Sequence, residues 1–226
     1  MKRYTSINYT RKSTNLIYFL IIGGILIFFI GSCIRSENTP SRIIKQKEEA
    51  VLVKDEDSLS EKDIEFYRLL KEKLKKAQIF SYDSPEDTPY VDFTLENLDG
   101  EKVSLSDFKG QTILLNFWAT WCGPCRSEMP SMESLYKELQ SLGFVLLSVN
   151  LKETRSDVAE YVKKAKISFP VLLDTTGEIG GIYGAQSIPL SFLIDTKGFV
   201  VGAVLGAKDW NSTKIKDIIK FIQARG

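Results

Sequence analysis

Cys122 and Cys125 stand two residues apart in Trp118-Ala119-Thr120-Trp121-Cys122-Gly123-Pro124-Cys125. Two sulfurs at this spacing can exchange disulfides or contribute to a soft-metal site. The local pattern favours the first. Thr112 to Phe117 precedes the pair as an apolar run that reads as a strand. After it, Met129, Met132, Leu135, Tyr136 and Leu139 fall at helical spacing with one buried face. The pair therefore lies at a strand-to-helix turn, beside the free N–H groups and positive end of a helix dipole. A cysteine thiol near pKa ~8.5 can drop to ~7 there, about 2 kcal/mol of preference for the thiolate.

Composition narrows the alternatives. The chain has 226 residues, 43% hydrophobic and 26% charged, with formal net charge +1. A balance so close to neutral gives no reason to expect nucleic acid as a partner. It contains 0 His, which removes Ser-His-Asp and Cys-His nucleophilic sites and the commonest zinc ligand. With 3 Cys, an all-cysteine tetrahedral metal site would need a second chain. Neither G-x-x-x-x-G-K nor G-x-G-x-x-G occurs, and Gly180-Gly181 reads as a bend.

The N-terminal part reads as an address. Lys2, Arg3, Arg11 and Lys12 precede an apolar stretch from Leu16 to Ile30, the pattern of a secretory signal or signal anchor. Read through Ile34 it is about 19 residues, just enough to span a bilayer core. Ile30-Gly31-Ser32-Cys33 is similar to a bacterial lipobox, so residues 1–34 read either as an uncleaved anchor or as a lipoprotein signal with Cys33 lipidated. Both readings place the rest of the chain outside the cytoplasm, tethered to a membrane. Residues 35–88 are rich in Lys, Glu, Asp and Ser, as a spacer should be. Within them 60–77 reads as a solvated helix opened by a Ser60–Asp63 capping box, with Ile64, Tyr67, Leu70 and Leu74 near one face.

Residues 89–226 form the domain that must position the cysteines. Val91, Phe93 and Leu95 alternate with polar residues before an Asp99-Gly100 turn. Gly143 stops the long helix ahead of an apolar run from Phe144 to Val149. A second helix spans Arg155 to Lys166, a buried strand Phe169 to Leu173, and a short helix Gly177 to Tyr183. Ser191–Ile194 and Phe199–Leu205 make a hairpin, and Asn211 caps a last helix carrying Ile215, Ile218, Ile219 and Ile222. The order predicts an α/β fold, a central mixed β-sheet with helices on both faces.

The stretch Asn116–Cys125 with Glu128-Met129-Pro130 resembles thioredoxin-like, membrane-anchored thiol–disulfide oxidoreductases of the ResA/TlpA type. The similarity continues through Val149-Asn150, Phe169–Asp174, Ile188-Pro189 and Phe192–Asp195, covering about 89 to 222. It implies a thioredoxin-like fold and assigns roles. Cys122 would be the exposed attacking thiolate and Cys125 the buried resolving thiol, together a redox-active disulfide with no other cofactor. Pro189 matches the family's cis-proline, with Ile188, Trp121, Gly123 and Pro124 on the substrate side. Glu128 falls where the family carries an acid/base carboxylate, and Asn116 where cytoplasmic thioredoxins carry a buried acid. Leu190 departs from the family's usual threonine. Trp118 reads as core.

The resemblance implies a reductase of protein disulfides, such as those of apocytochrome c during cytochrome c maturation, fed by a membrane thiol donor. The Gly-Pro pair is similar to that of reducing thioredoxins, near about −270 mV, rather than strong oxidants near about −120 mV. Two other readings stay open. A thiol peroxidase shares the Leu105–Gly110 stretch, although Ala119 stands where its Thr-x-x-Cys motif needs threonine. A copper-binding scaffold would use the same two thiolates.

Overall fold

Two strands with every residue buried organise the sheet. The computed structural model describes residues 59–82 and 88–225, and within it β4 (Thr112–Trp118) and β5 (Phe144–Leu151) are covered along their whole length. They pair in parallel, Thr112 opposite Phe144 through Trp118 opposite Asn150. Their near-continuous apolar sequence is what burial on both faces requires. The remaining strands are β1 (Phe80–Ser81), β2 (Thr94–Asn97), β3 (Lys102–Ser104), β6 (Val171–Asp174), β7 (Leu190–Ile194) and β8 (Val200–Leu205). The 8-stranded sheet runs β1-β8-β7-β4-β5-β6-β2-β3. Strands β4, β5 and β6 are parallel and the other pairings antiparallel, the mixed sheet the sequence predicts.

Period-2 alternation in β4 sorts its side chains between two apolar layers. Leu114 and Trp118 join a layer with Met129, Met132, Leu135 and Leu139 of α2 (Gly123–Leu139) and the isoleucines of α5 (Thr213–Gln223). Ile113, Leu115 and Phe117 join the opposite layer with Phe93 and Leu105, backed by Ile179 of the short α4 (Glu178–Ile182). Helix α3 (Arg155–Ala165) contributes Val158 to the first layer. Gly143, in the left-handed region at φ 78°, ends the turn between α2 and β5.

The solvated spacer helix is corrected by the structure. Helix α1 (Glu61–Lys76) has the Ser60–Asp63 capping box in place, but Tyr67, Leu70 and Leu74 are buried in the α2/α5 layer. Its Phe66 stacks on Phe221 of α5 with ring centroids 4.9 Å apart, and the Tyr67 hydroxyl donates to Asp195 Oδ2 at 2.7 Å. Full burial of each leucine contributes about 1.5–3 kcal/mol, enough to hold the helix down despite its charged remainder. Ile64 departs from that stripe and is 58% exposed. β1, not predicted, follows directly and pairs with β8, Phe80 opposite Ala203. Gly202 makes that approach feasible, since a Cβ there would lie 2.8 Å from Ile79 Cγ2. The compact unit accordingly runs Ser58–Gly226, beginning well before residue 89.

Smaller differences are local. Ser212 rather than Asn211 occupies the N-cap of α5, without a side-chain capping bond. The first hairpin strand starts at Thr94 and leaves Val91 52% exposed. The anchor or lipoprotein signal, including Cys33, lies outside the described residues, as do residues 35–58 and 83–87 of the spacer. No helix among the described residues is long and apolar enough to cross a membrane.

Candidate active site

The chain leaves β4 at Trp118, turns through Ala119–Trp121, and enters α2 with Cys122 as the N-cap. Pro124 takes a first-turn position where the missing N–H removes no helix bond. The Cys125 N–H donates to Cys122 Sγ at 3.2 Å, so the sulfur does what a capping oxygen does at other helices. Cys122 and Cys125 form a disulfide, their Cα atoms 5.3 Å apart. Cys125 is fully buried and Cys122 is 5% exposed. Both cysteines are therefore buried in the disulfide form, and the expectation of an openly exposed Cys122 is corrected: its sulfur is tucked between the helix start and the Ile188 carbonyl oxygen, 3.7 Å away.

That carbonyl belongs to a cis Ile188–Pro189 bond. β7 carries it to the cysteines because Leu190 pairs with Phe117 of β4, one residue before Trp118. The Pro189 carbonyl accepts the Gly206 N–H at 2.8 Å, fixing the loop to the end of β8. Trp121, at 69% exposure, stands proud of the surface, whereas Trp118 is fully buried. Beside the disulfide a groove of about 340 Å³ is lined by Trp121, Ile188, Leu151, Gly180 and Ala185. Gly123 is not among the lining residues; it opens α2, where a Cβ would meet open space.

Glu128 lies one turn beyond Cys125 and is buried. The alternation that puts Trp118 on the α2 side also puts Asn116 there, and Asn116 Nδ2 donates to Glu128 Oε1 at 3.0 Å. Its other oxygen accepts the Lys208 N–H at 3.1 Å and the Trp210 Nε1–H at 2.9 Å. Burial pushes the Glu128 carboxyl above the ordinary carboxylate range, with the bonds from Trp210, Lys208 and Asn116 pulling the other way. Asn116 Nδ2 also donates to Ser191 Oγ at 2.9 Å, across the β4–β7 register. Lys208 and Trp210 escape sequence reading: they lie about 80 residues from Glu128 in a loop with no periodic signal.

Sulfur pair, cis-proline loop, apolar groove and buried carboxyl thus converge at the carboxyl end of β4. A model of the AhpC/TSA family matches residues 87–203. The thiol-disulfide oxidoreductase ResA of Bacillus thuringiensis subsp. konkukian is 42% identical over 114 residues, which are 50% of this chain and 66% of that protein. The Bacillus subtilis ResA is 40% identical over 114 residues, 50% of this chain and 64% of its own length. These matches stop just short of two thirds of each relative. Among solved structures, a thiol:disulfide interchange protein of the thioredoxin family from Chlorobium tepidum superposes with TM-score 0.53 at 33% identity, covering 60% of this chain and 96% of its own. Because that match takes in both cysteines and more than half of the chain, the chain belongs to the AhpC/TSA family.

Proposed function

We propose that this chain is a membrane-tethered, extracytoplasmic thiol–disulfide oxidoreductase that reduces protein disulfides, with apocytochrome c a fitting client. The observation that carries the reading is the Cys122–Cys125 pair at the N-terminus of α2, facing the cis Ile188–Pro189 loop beside an apolar groove. In the reduced protein the first-turn N–H groups and the helix dipole favour a Cys122 thiolate. That thiolate attacks one sulfur of a client disulfide; the S–S bond breaks, a mixed disulfide forms, and the client's other sulfur leaves as thiolate. Cys125, deprotonated, then attacks Cys122 Sγ, closing the disulfide seen here and releasing the second client sulfur. Two electrons pass from the pair to the client, and a membrane thiol donor restores the dithiol. Glu128, one turn from Cys125 and biased toward its protonated form, serves as the proton acceptor and donor for the buried thiol. Trp121 and Ile188 give the client an apolar seat, and the backbone at Pro189 runs alongside its chain.

Replacing Cys125 by Ser tests the assignment. A client mixed disulfide should accumulate on Cys122 and be recovered by non-reducing electrophoresis, while Cys122→Ser traps none. Equal trapping by Cys122→Ser reverses the roles. A reduction potential above about −150 mV overturns the reducing direction, and brisk consumption of hydrogen peroxide with a thiol donor would favour the peroxidase reading instead.

A further inference from the structure

We infer that Glu153 is a positioning residue for the cysteine pair, holding the turn that presents Trp121 and Cys122. This rests on the disulfide-exchange reading above. Between β4 and α2 the chain has only Ala119, Thr120 and Trp121 before the N-cap, and Thr120 is held by a side chain from 33 residues away. Glu153 Oε2 accepts the Thr120 backbone N–H at 2.6 Å, and Glu153 Oε1 accepts the Thr120 hydroxyl. Asn150 Nδ2 donates to the same Oε2 at 2.7 Å. Asn150 is itself fixed, since it sits opposite Trp118 in the β4–β5 register and is buried. The carboxylate thus clamps the turn to the strand beside it by three bonds, two of them to one residue.

An independent feature aims it there. Lys152, just before Glu153, adopts φ 58°, a left-handed conformation unfavourable for a residue with a Cβ. Its N–H donates to the Asp174 carbonyl at 2.9 Å, and its side chain occupies the space a Cβ on Gly177 would need. This reversal at the end of β5 swings the chain so that Glu153 faces the β4 exit instead of continuing outward with the strand. The clamp fixes the approach of Trp121 and of the N-cap that orients Cys122 Sγ, and needs no charge for it. A glutamine can replace the carboxylate bond for bond: its carbonyl accepts the Thr120 and Asn150 N–H groups, and its amide donates to a reoriented Thr120 hydroxyl.

The test uses the full chain in detergent micelles, reduced, with insulin disulfides as substrate and iodoacetamide as a small probe of Cys122. Glu153→Ala should slow insulin reduction about tenfold with an unchanged far-ultraviolet circular dichroism spectrum. Thr120→Val, which keeps the backbone bond and loses the hydroxyl, should slow it about threefold. Glu153→Gln should recover the rate to within about twofold of the unsubstituted chain, a rescue that a diffuse loss of stability would not give. The inference falls if Glu153→Ala stays within about twofold, or if Glu153→Gln is as slow as Glu153→Ala. Should Glu153→Ala fail to fold, Thr120→Val against Glu153→Gln decides by the same thresholds. If the unsubstituted chain leaves insulin intact, it is the disulfide-reductase reading that fails. Iodoacetamide rates across the variants then still decide the clamp: equal rates overturn it, and a slowed Glu153→Ala rescued by Glu153→Gln upholds it.

Discussion

Replacing Glu128 by Gln or by Leu separates what the buried carboxyl contributes as a hydrogen-bond acceptor from what it contributes as an acid. Three donors converge on it, from Asn116, Lys208 and Trp210. Leucine removes the acceptor: Asn116 Nδ2 keeps its bond to Ser191 Oγ, but the Lys208 N–H and the Trp210 Nε1–H lose theirs, at about 1–3 kcal/mol each, partly offset by removing a buried carboxylate. A net loss of several kcal/mol would be a large share of a typical domain's stability. Glutamine behaves differently. Its carbonyl can take the Lys208 and Trp210 bonds, and its amide can face Asn116, whose Oδ1 now lacks a partner and can turn to accept it. Glutamine should therefore lie within about 1 kcal/mol of the unsubstituted protein in acid.

The pH dependence follows from the direction of the shift. Burial first raises the folded-state pKa above the ordinary 4.5, so between the two pKa values the folded chain binds more protons than the unfolded one. The stability this confers is complete below the unfolded pKa and is lost as pH climbs through the folded one. Glu128→Gln has no such loss. Urea unfolding from about pH 4 to pH 8, with the slope m checked for constancy, should show glutamine gaining on the unsubstituted protein as pH rises. A difference that stays flat across that range would refute the linkage, and with it the assignment of Glu128 as a carboxyl held toward its protonated form.

Two other outcomes are expected. Leu74→Ala, in the helix that sequence composition marks as spacer, should cost about 2–5 kcal/mol in chemical unfolding, and Tm should fall by about 2–4 °C per kcal/mol. A change under about 0.5 kcal/mol would mean that α1 is not part of the core. Trp121→Ala should leave unfolding stability within about 0.5 kcal/mol, because the ring is 69% exposed. It should slow reduction of a protein disulfide several-fold more than reduction of a small linear one, as competition kinetics would reveal; equal slowing of both would remove Trp121 from the client seat.

The strands that hold the site are readable because burial on both faces leaves near-continuous apolar runs, Ile113–Phe117 broken only by Asn116 and Phe144–Val149 only by Ser148. The sulfur pair was readable from its spacing after such a run. Helix α1 reads as spacer because its stripe of Tyr67, Leu70 and Leu74 is narrow and half of its 16 residues are Lys or Glu; only the opposing isoleucines of α5 reveal that it has somewhere to dock. The partners of Glu128 and the aim of Glu153 depend on contacts between distant segments and on one left-handed residue, neither of which produces periodicity.

The Lys208 side chain carries a last implication. While its N–H reaches Glu128, its ammonium group donates to the Ala77 carbonyl at 2.7 Å, at the end of α1. The inherited module, residues 87–203, stops short at both ends of this connection. A fragment trimmed to those borders would discard the helix, the loop and the indole together, baring oily surface on one flank and stripping the buried acid of two of its three donors. In this chain the segment matched by the family model is smaller than the compact unit, Ser58–Gly226, that supplies the buried acid's donors.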